Sequence, residues 1–134
     1  MKTKAIGYLE VAQSLIDKQE EISCTASIHC SYYTVFMYMK YILAHTDRQP
    51  LSYEEQDEQS KKGEGSHEYV IGQIKQRISN RKAGQDLAQT VRELKRARKY
   101  ADYTAKQFSV EESLECKQLT EGLMAKLKAY FGNL

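Results

Sequence analysis

The chain has 134 residues, which suits one domain with one core. Its net charge is only +2, so the overall balance names neither nucleic acid nor membrane as a partner. With 41% hydrophobic and 28% charged residues the composition is that of an ordinary globular protein. One proline and seven glycines are too few for a sandwich of many turns and point to helices with few breaks.

Helix periodicity begins at once. Tyr8, Leu9, Ala12, Leu15 and Ile16 recur at three-and-four spacing and predict a helix over 4–21, with Thr3 as its N-cap. Residues 1–3 run straight into this pattern with no apolar segment, so no signal peptide is expected. A second helix is predicted over 23–44, capped by Ser23. It is apolar on nearly every side, which marks a buried central element. His29, Lys40 and four tyrosines argue against a membrane span there. The near absence of a linker makes the first two helices antiparallel neighbours.

Residues 45–66 are polar, acidic in the middle and hold the one proline. They read as a long exposed connection with one short helical turn near 53–59, serving as a mobile spacer or as a lid over a binding site. Ser66 is the expected N-cap of the third helix, whose apolar face is Val70, Ile71, Ile74 and Ile78. Residues 80–84 form a turn, and a fourth helix follows over 85–100. After a connection at 101–108, Ser109 and Glu112 have the spacing of a capping box. They start a fifth helix over 110–131 that buries Leu119, Leu123, Met124, Leu127, Tyr130 and Phe131 and ends at Gly132. The expected fold is all-α: a single domain forming an antiparallel up-down bundle of four to five helices.

Cys24, Cys30 and Cys116 are an odd set without a C-x-x-C pair, which suggests packed, reduced thiols and a cytoplasmic location. The three histidines lack metal-ligand spacing, so no metal or other cofactor is expected. No phosphate-binding glycine loop, nucleophile elbow or zincin motif occurs.

Helix four carries the informative residue. Leu87, Val91 and Leu94 define a buried stripe whose next position is Arg98, so Arg98 should point into the bundle. An inward guanidinium needs a partner. Either Asp102, four residues on, clamps it, or it faces a groove where its planar fork can bind a phosphate. Nine cations between Lys75 and Lys99 face only Asp86 and Glu93, which is the footprint of a nucleic-acid surface or of a solvated helix face. Arg92, Lys95, Asp102, Tyr103 and Tyr33 join Arg98 as candidate nucleotide- or RNA-binding residues. His29, four residues before Tyr33 on the central helix, is either a hydrogen-bonded core histidine or the one candidate base.

Tyr32-Tyr33 with Val35-Phe36, His67 opening a helix, Arg98 with Ala101-Asp102-Tyr103, and the start Ser109-Val110-Glu111-Glu112 together resemble the HEPN domain. The nearest branch is the small stand-alone bacterial and archaeal type associated with toxin–antitoxin-like pairs. The resemblance spans about residues 4–131. It implies an up-down helical bundle that dimerises through the arginine-bearing face, and a nucleotidyltransferase partner. It also implies, for some members, metal-independent RNase activity from an Arg, a spacer of about four to six residues and a His, with two such motifs meeting across the dimer. Here Tyr103 stands where that histidine is expected and none follows Arg98. Tyrosine, with a reference pKa of about 10, is a poor base near neutral pH. The primary expectation is therefore a non-catalytic, nucleotide- or RNA-binding or partner-binding HEPN-like homodimer. The alternatives are an endoribonuclease using Arg98 with His29, and a purely structural interaction bundle. No membrane partner is expected.

Overall fold

The computed structural model describes residues 1–63 and 65–132. Among them the chain forms six helices and no strand: α1 (Lys2–Asp17), α2 (Glu21–His45), α3 (Tyr53–Ser60), α4 (Ser66–Gln76), α5 (Arg81–Tyr103) and α6 (Val110–Phe131). The central helix is where the apolar run predicts it. α2 packs against all five other helices, and Ile28, Tyr32, Val35, Met39, Ile42 and Leu43 on it are fully buried. No described helix is long and apolar enough to cross a membrane.

The links explain how the bundle closes. Residues 18–20 separate α1 from α2, with Gln19 at φ 56, and the two helices pack along each other. Ala5 and Ala12 are fully buried, so α1 presents small side chains at this contact. Neither predicted cap forms: α1 starts at Lys2, before Thr3, and Ser23 is a buried residue inside α2, whose N-cap is Glu20.

Three differences in boundary matter for the site. Gly65, not Ser66, precedes α4; its φ of 92° is open to glycine and strained for other residues. α5 is longer at both ends than 85–100. Asn80 caps it by accepting from the Ala83 N–H, which turns the expected 80–84 turn into its first turn, and it continues through Asp102 and Tyr103. The connection at 45–66 is tied down more than its polarity suggests. Ser52 and Glu55 form a capping box for α3, buried Gln56 donates to the Lys40 and Leu51 carbonyls, and Arg77 donates to the carbonyls of Arg48 and Gln49.

The Ser109–Glu112 capping box forms in both directions. The buried stripe of α6 differs from expectation, because Leu119 and Tyr130 are 41% and 44% exposed. Its inner face runs instead through Ser113, Cys116, Thr120, Leu123, Met124 and Leu127. Small residues allow α6 close to α2, where Thr120 donates to the Ser31 carbonyl at 3.0 Å. All three cysteines are free and buried.

Candidate functional site

α5 turns Leu87, Val91, Leu94 and Arg98 to one buried side, and Arg98 is only 6% exposed. The guanidinium lies among three rings: Tyr32 at 5.3 Å, Tyr33 at 5.6 Å and Tyr103 at 5.8 Å. The electron-rich ring faces stabilise the desolvated cation. Its nearest carboxylate oxygen, Asp102 Oδ2, is 3.7 Å from a terminal nitrogen, too far for a hydrogen bond. The Arg98 Nε is buried with no hydrogen-bond partner. Arg98 is therefore held by rings and charge, with unused donor capacity.

Asp102 spends its closer contact elsewhere. His29 Nδ1 on α2 lies 2.8 Å from Asp102 Oδ2 on α5. A carboxylate can only accept, so Nδ1 carries the hydrogen. That leaves the lone pair of the neutral ring on Nε2, the arrangement of an oriented base. The imidazole packs on Tyr33 at 4.5 Å between centroids, and the His29 side chain keeps 39% of its surface exposed.

A second histidine closes the other flank. His67, in the first turn of α4, stacks on Phe36 at 4.2 Å and also contacts the Tyr32 and Tyr33 rings. Its Nδ1 is 2.6 Å from the Tyr32 hydroxyl. Burial pushes the Tyr32 pKa up, so the phenol stays protonated and is assigned as the donor. Burial, then the charges of Arg98, Lys95, Lys99 and Lys40, press the His67 pKa down to about 4. His67 is thus a neutral acceptor that fixes Tyr32, which in turn supports Arg98.

Arg92 and Lys95 stand one turn and more before Arg98, and both are engaged by α4. Glu68 accepts from Arg92 Nε at 3.2 Å and from Lys95 Nζ at 2.9 Å. Burial opposes ionisation of Glu68, but the bonds and charges of Lys95 and Arg92 prevail and hold its carboxyl below the usual range. Of the candidates from sequence, Arg98, Asp102, Tyr103, Tyr33 and His29 meet at one place, while Arg92 and Lys95 are committed to an ion-pair triad beside it.

His67 and Tyr32 are the residues that sequence reasoning missed as site members. A histidine in a first turn reads as a helix-start residue, and only its place beside the paired tyrosines of the central helix signals otherwise. Among the described residues no three His, Cys, Asp or Glu side chains converge to hold a metal ion. The arrangement sets a buried guanidinium with an unpartnered Nε close to a histidine whose Nδ1 is held by Asp102. No family model, curated protein or solved structure matches the chain.

Proposed function

We propose that this chain is a HEPN-like module that binds a phosphate group of RNA or of a nucleotide at Arg98. The observation that carries the reading is the buried guanidinium with an unpartnered Nε, held by tyrosine rings and approached by Asp102 only to 3.7 Å. A phosphate at the terminal nitrogens, which no described side chain hydrogen-bonds, would supply acceptors that this cation lacks. Assembly as a homodimer through the arginine-bearing face, and pairing with a nucleotidyltransferase in a toxin–antitoxin-like system, rest on the sequence resemblance.

The test is a filter-binding titration of RNA and of nucleoside phosphates over a range of salt, with wild type and Arg98→Ala. Binding should weaken at least tenfold in the variant and steeply with salt in the wild type, while helicity by circular dichroism is kept. Equal loss of helicity and binding would make Arg98 a core clamp. Binding indifferent to salt and to Arg98 would leave a structural interaction bundle.

A second reading is favoured by the 2.8 Å His29–Asp102 contact. In a metal-independent endoribonuclease, His29 Nε2 would take the proton of a ribose 2′-hydroxyl as its oxygen attacks the adjacent phosphorus. The P–O5′ bond breaks, the 5′-oxygen leaves with a proton from water, and a 2′,3′-cyclic phosphate remains. Arg98 would stabilise the charge on the phosphoryl oxygens. Cleavage by RNase-free protein that is lost in His29→Ala would establish this activity; intact RNA at high enzyme would remove it.

A further inference from the structure

α5 carries a second, outward stripe that meets the Arg98 site only at Tyr103. Gln85, Gln89, Arg92, Glu93 and Arg96 line a groove of about 390 Å³ whose other wall includes Lys75 of α4. The three-and-four spacing continues past the groove to Lys99, Tyr100 and Tyr103 on the same side of the helix. Lys75, Arg96 and Lys99 make no ion pair among the described residues, in contrast to Arg92 and Lys95, which Glu68 engages. Tyr100 and Tyr103 are 49% and 75% exposed, large rings presented to water beside these free cations. The stripe ends where the Tyr103 ring meets the Arg98 guanidinium at 5.8 Å.

We infer that this face of α5 is a track for single-stranded RNA, with Lys75, Arg96 and Lys99 contacting phosphates and Tyr100 and Tyr103 stacking on bases, leading into the Arg98 site. A cationic groove continued by exposed rings is how sequence-tolerant single-strand surfaces are built, because every base has a face to stack. A duplex hides its base faces and would leave the two rings without a role. An acidic protein would use the cations but not the rings. From Gln85 to Tyr103 the helix is about 27 Å long, enough for a run of several nucleotides. The inference extends the phosphate reading of Arg98 and adds the class of ligand.

The experiment is fluorescence anisotropy with a labelled 12-nucleotide single-stranded RNA and with a duplex of the same length, each over a salt series. The variants are Arg96→Ala/Lys99→Ala, Tyr100→Ala and Arg98→Lys, all checked for helicity. Single strand should bind tighter than duplex. The double variant should weaken binding at least tenfold and lower the slope of log K against log salt by roughly 1.4. Tyr100→Ala should weaken single-strand binding roughly fivefold or more and leave duplex binding unchanged. Duplex bound as tightly as single strand, with Tyr100→Ala neutral, overturns the track. Competition by polyglutamate with the same dependence on Arg96 and Lys99, but none on Tyr100, would assign the face to an acidic protein and also overturn it. Loss of binding in Arg98→Lys alone removes the track and leaves the Arg98 reading standing; loss in the stripe variants alone does the reverse.

Discussion

The two sides of α2 are built from opposite materials. Toward α6 the contact uses small residues: several of their polar atoms are answered locally, while Ser31 Oγ is buried without a partner. Thr120 donates to the Ser31 carbonyl, Ser113 to the Val110 carbonyl, and Thr25 Oγ accepts from the Phe108 N–H. Toward α4 and α5 it uses tyrosines, two histidines and an arginine, and there donor capacity is left over at Arg98 Nε. Among the described residues the first side leaves at most a neutral hydroxyl unpaired, and it holds the bundle together. The second is held by the same helix but is built around a charged group, for which an unmet donor costs more than for a hydroxyl.

The largest effect should come from breaking the first side. Leu127 on α6 is fully buried in the core cluster. Leu127→Ala should lose about 2–5 kcal/mol of unfolding free energy in a urea titration, through lost transfer energy and the cavity left behind. RNA affinity measured on the folded fraction should stay within about twofold. A parallel loss of affinity would mean that the two sides of α2 are coupled.

The next effect sharpens the second side by pH. The His67 pKa of about 4 lies below the ordinary 6.5, because burial and four cations disfavour the imidazolium. The unfolded chain therefore takes up a proton first as pH falls. The contribution is fully present above pH 6.5, is lost between 6.5 and about 4, and is constant below that. The full shift corresponds to about 3 kcal/mol, and partial solvent access of the ring reduces this to about 1–2 kcal/mol. Chemical denaturation of wild type and His67→Asn at pH 7 and pH 4 isolates this term from the carboxylates. The wild type should lose more stability on acidification than the variant, by that amount. Equal losses would show that His67 does not sense the cations of α5 and α2.

Much of this organisation was legible in the sequence, and the exceptions have physical causes. The run around Tyr32 marked the central helix because no side of it is polar. Arg98 was placed inward by the register of Leu87, Val91 and Leu94, and it is inward. Leu119 and Tyr130 misled because size and apolarity read as burial, whereas the close approach of α6 to α2 selects Ser113, Cys116 and Thr120. The start of α5 was hidden for a related reason. Gly84 reads as a turn residue, but its missing side chain serves packing: a Cβ there would lie 2.9 Å from the Lys75 carbonyl oxygen. His67 could not be assigned from spacing, since its partner Tyr32 lies 35 positions away on another helix.

The smallest change in stability should come from Asp102→Asn, and it discriminates most finely between a clamp and a site. Asp102 lies at the edge of the tyrosine cluster with a side chain 22% exposed, and its His29 partner is 39% exposed. The pair with His29 is wet and contributes little. The contact with the buried Arg98 side chain is too long for a hydrogen bond and is partly replaced by the amide dipole, so unfolding free energy should change by about 1 kcal/mol. RNA binding at low salt should strengthen by roughly twofold to fivefold, because a carboxylate 3.7 Å from Arg98 competes with phosphate for the same cation. If Asp102 instead orients Arg98 as a clamp, binding should weaken, since the amide cannot hold the guanidinium by charge. In a nuclease the same substitution would also free the His29 ring to turn or change tautomer, and cleavage should fall by roughly tenfold or more while binding rises. Opposite movements of affinity and cleavage in one variant would separate the arginine's role in binding from the histidine's role in proton transfer.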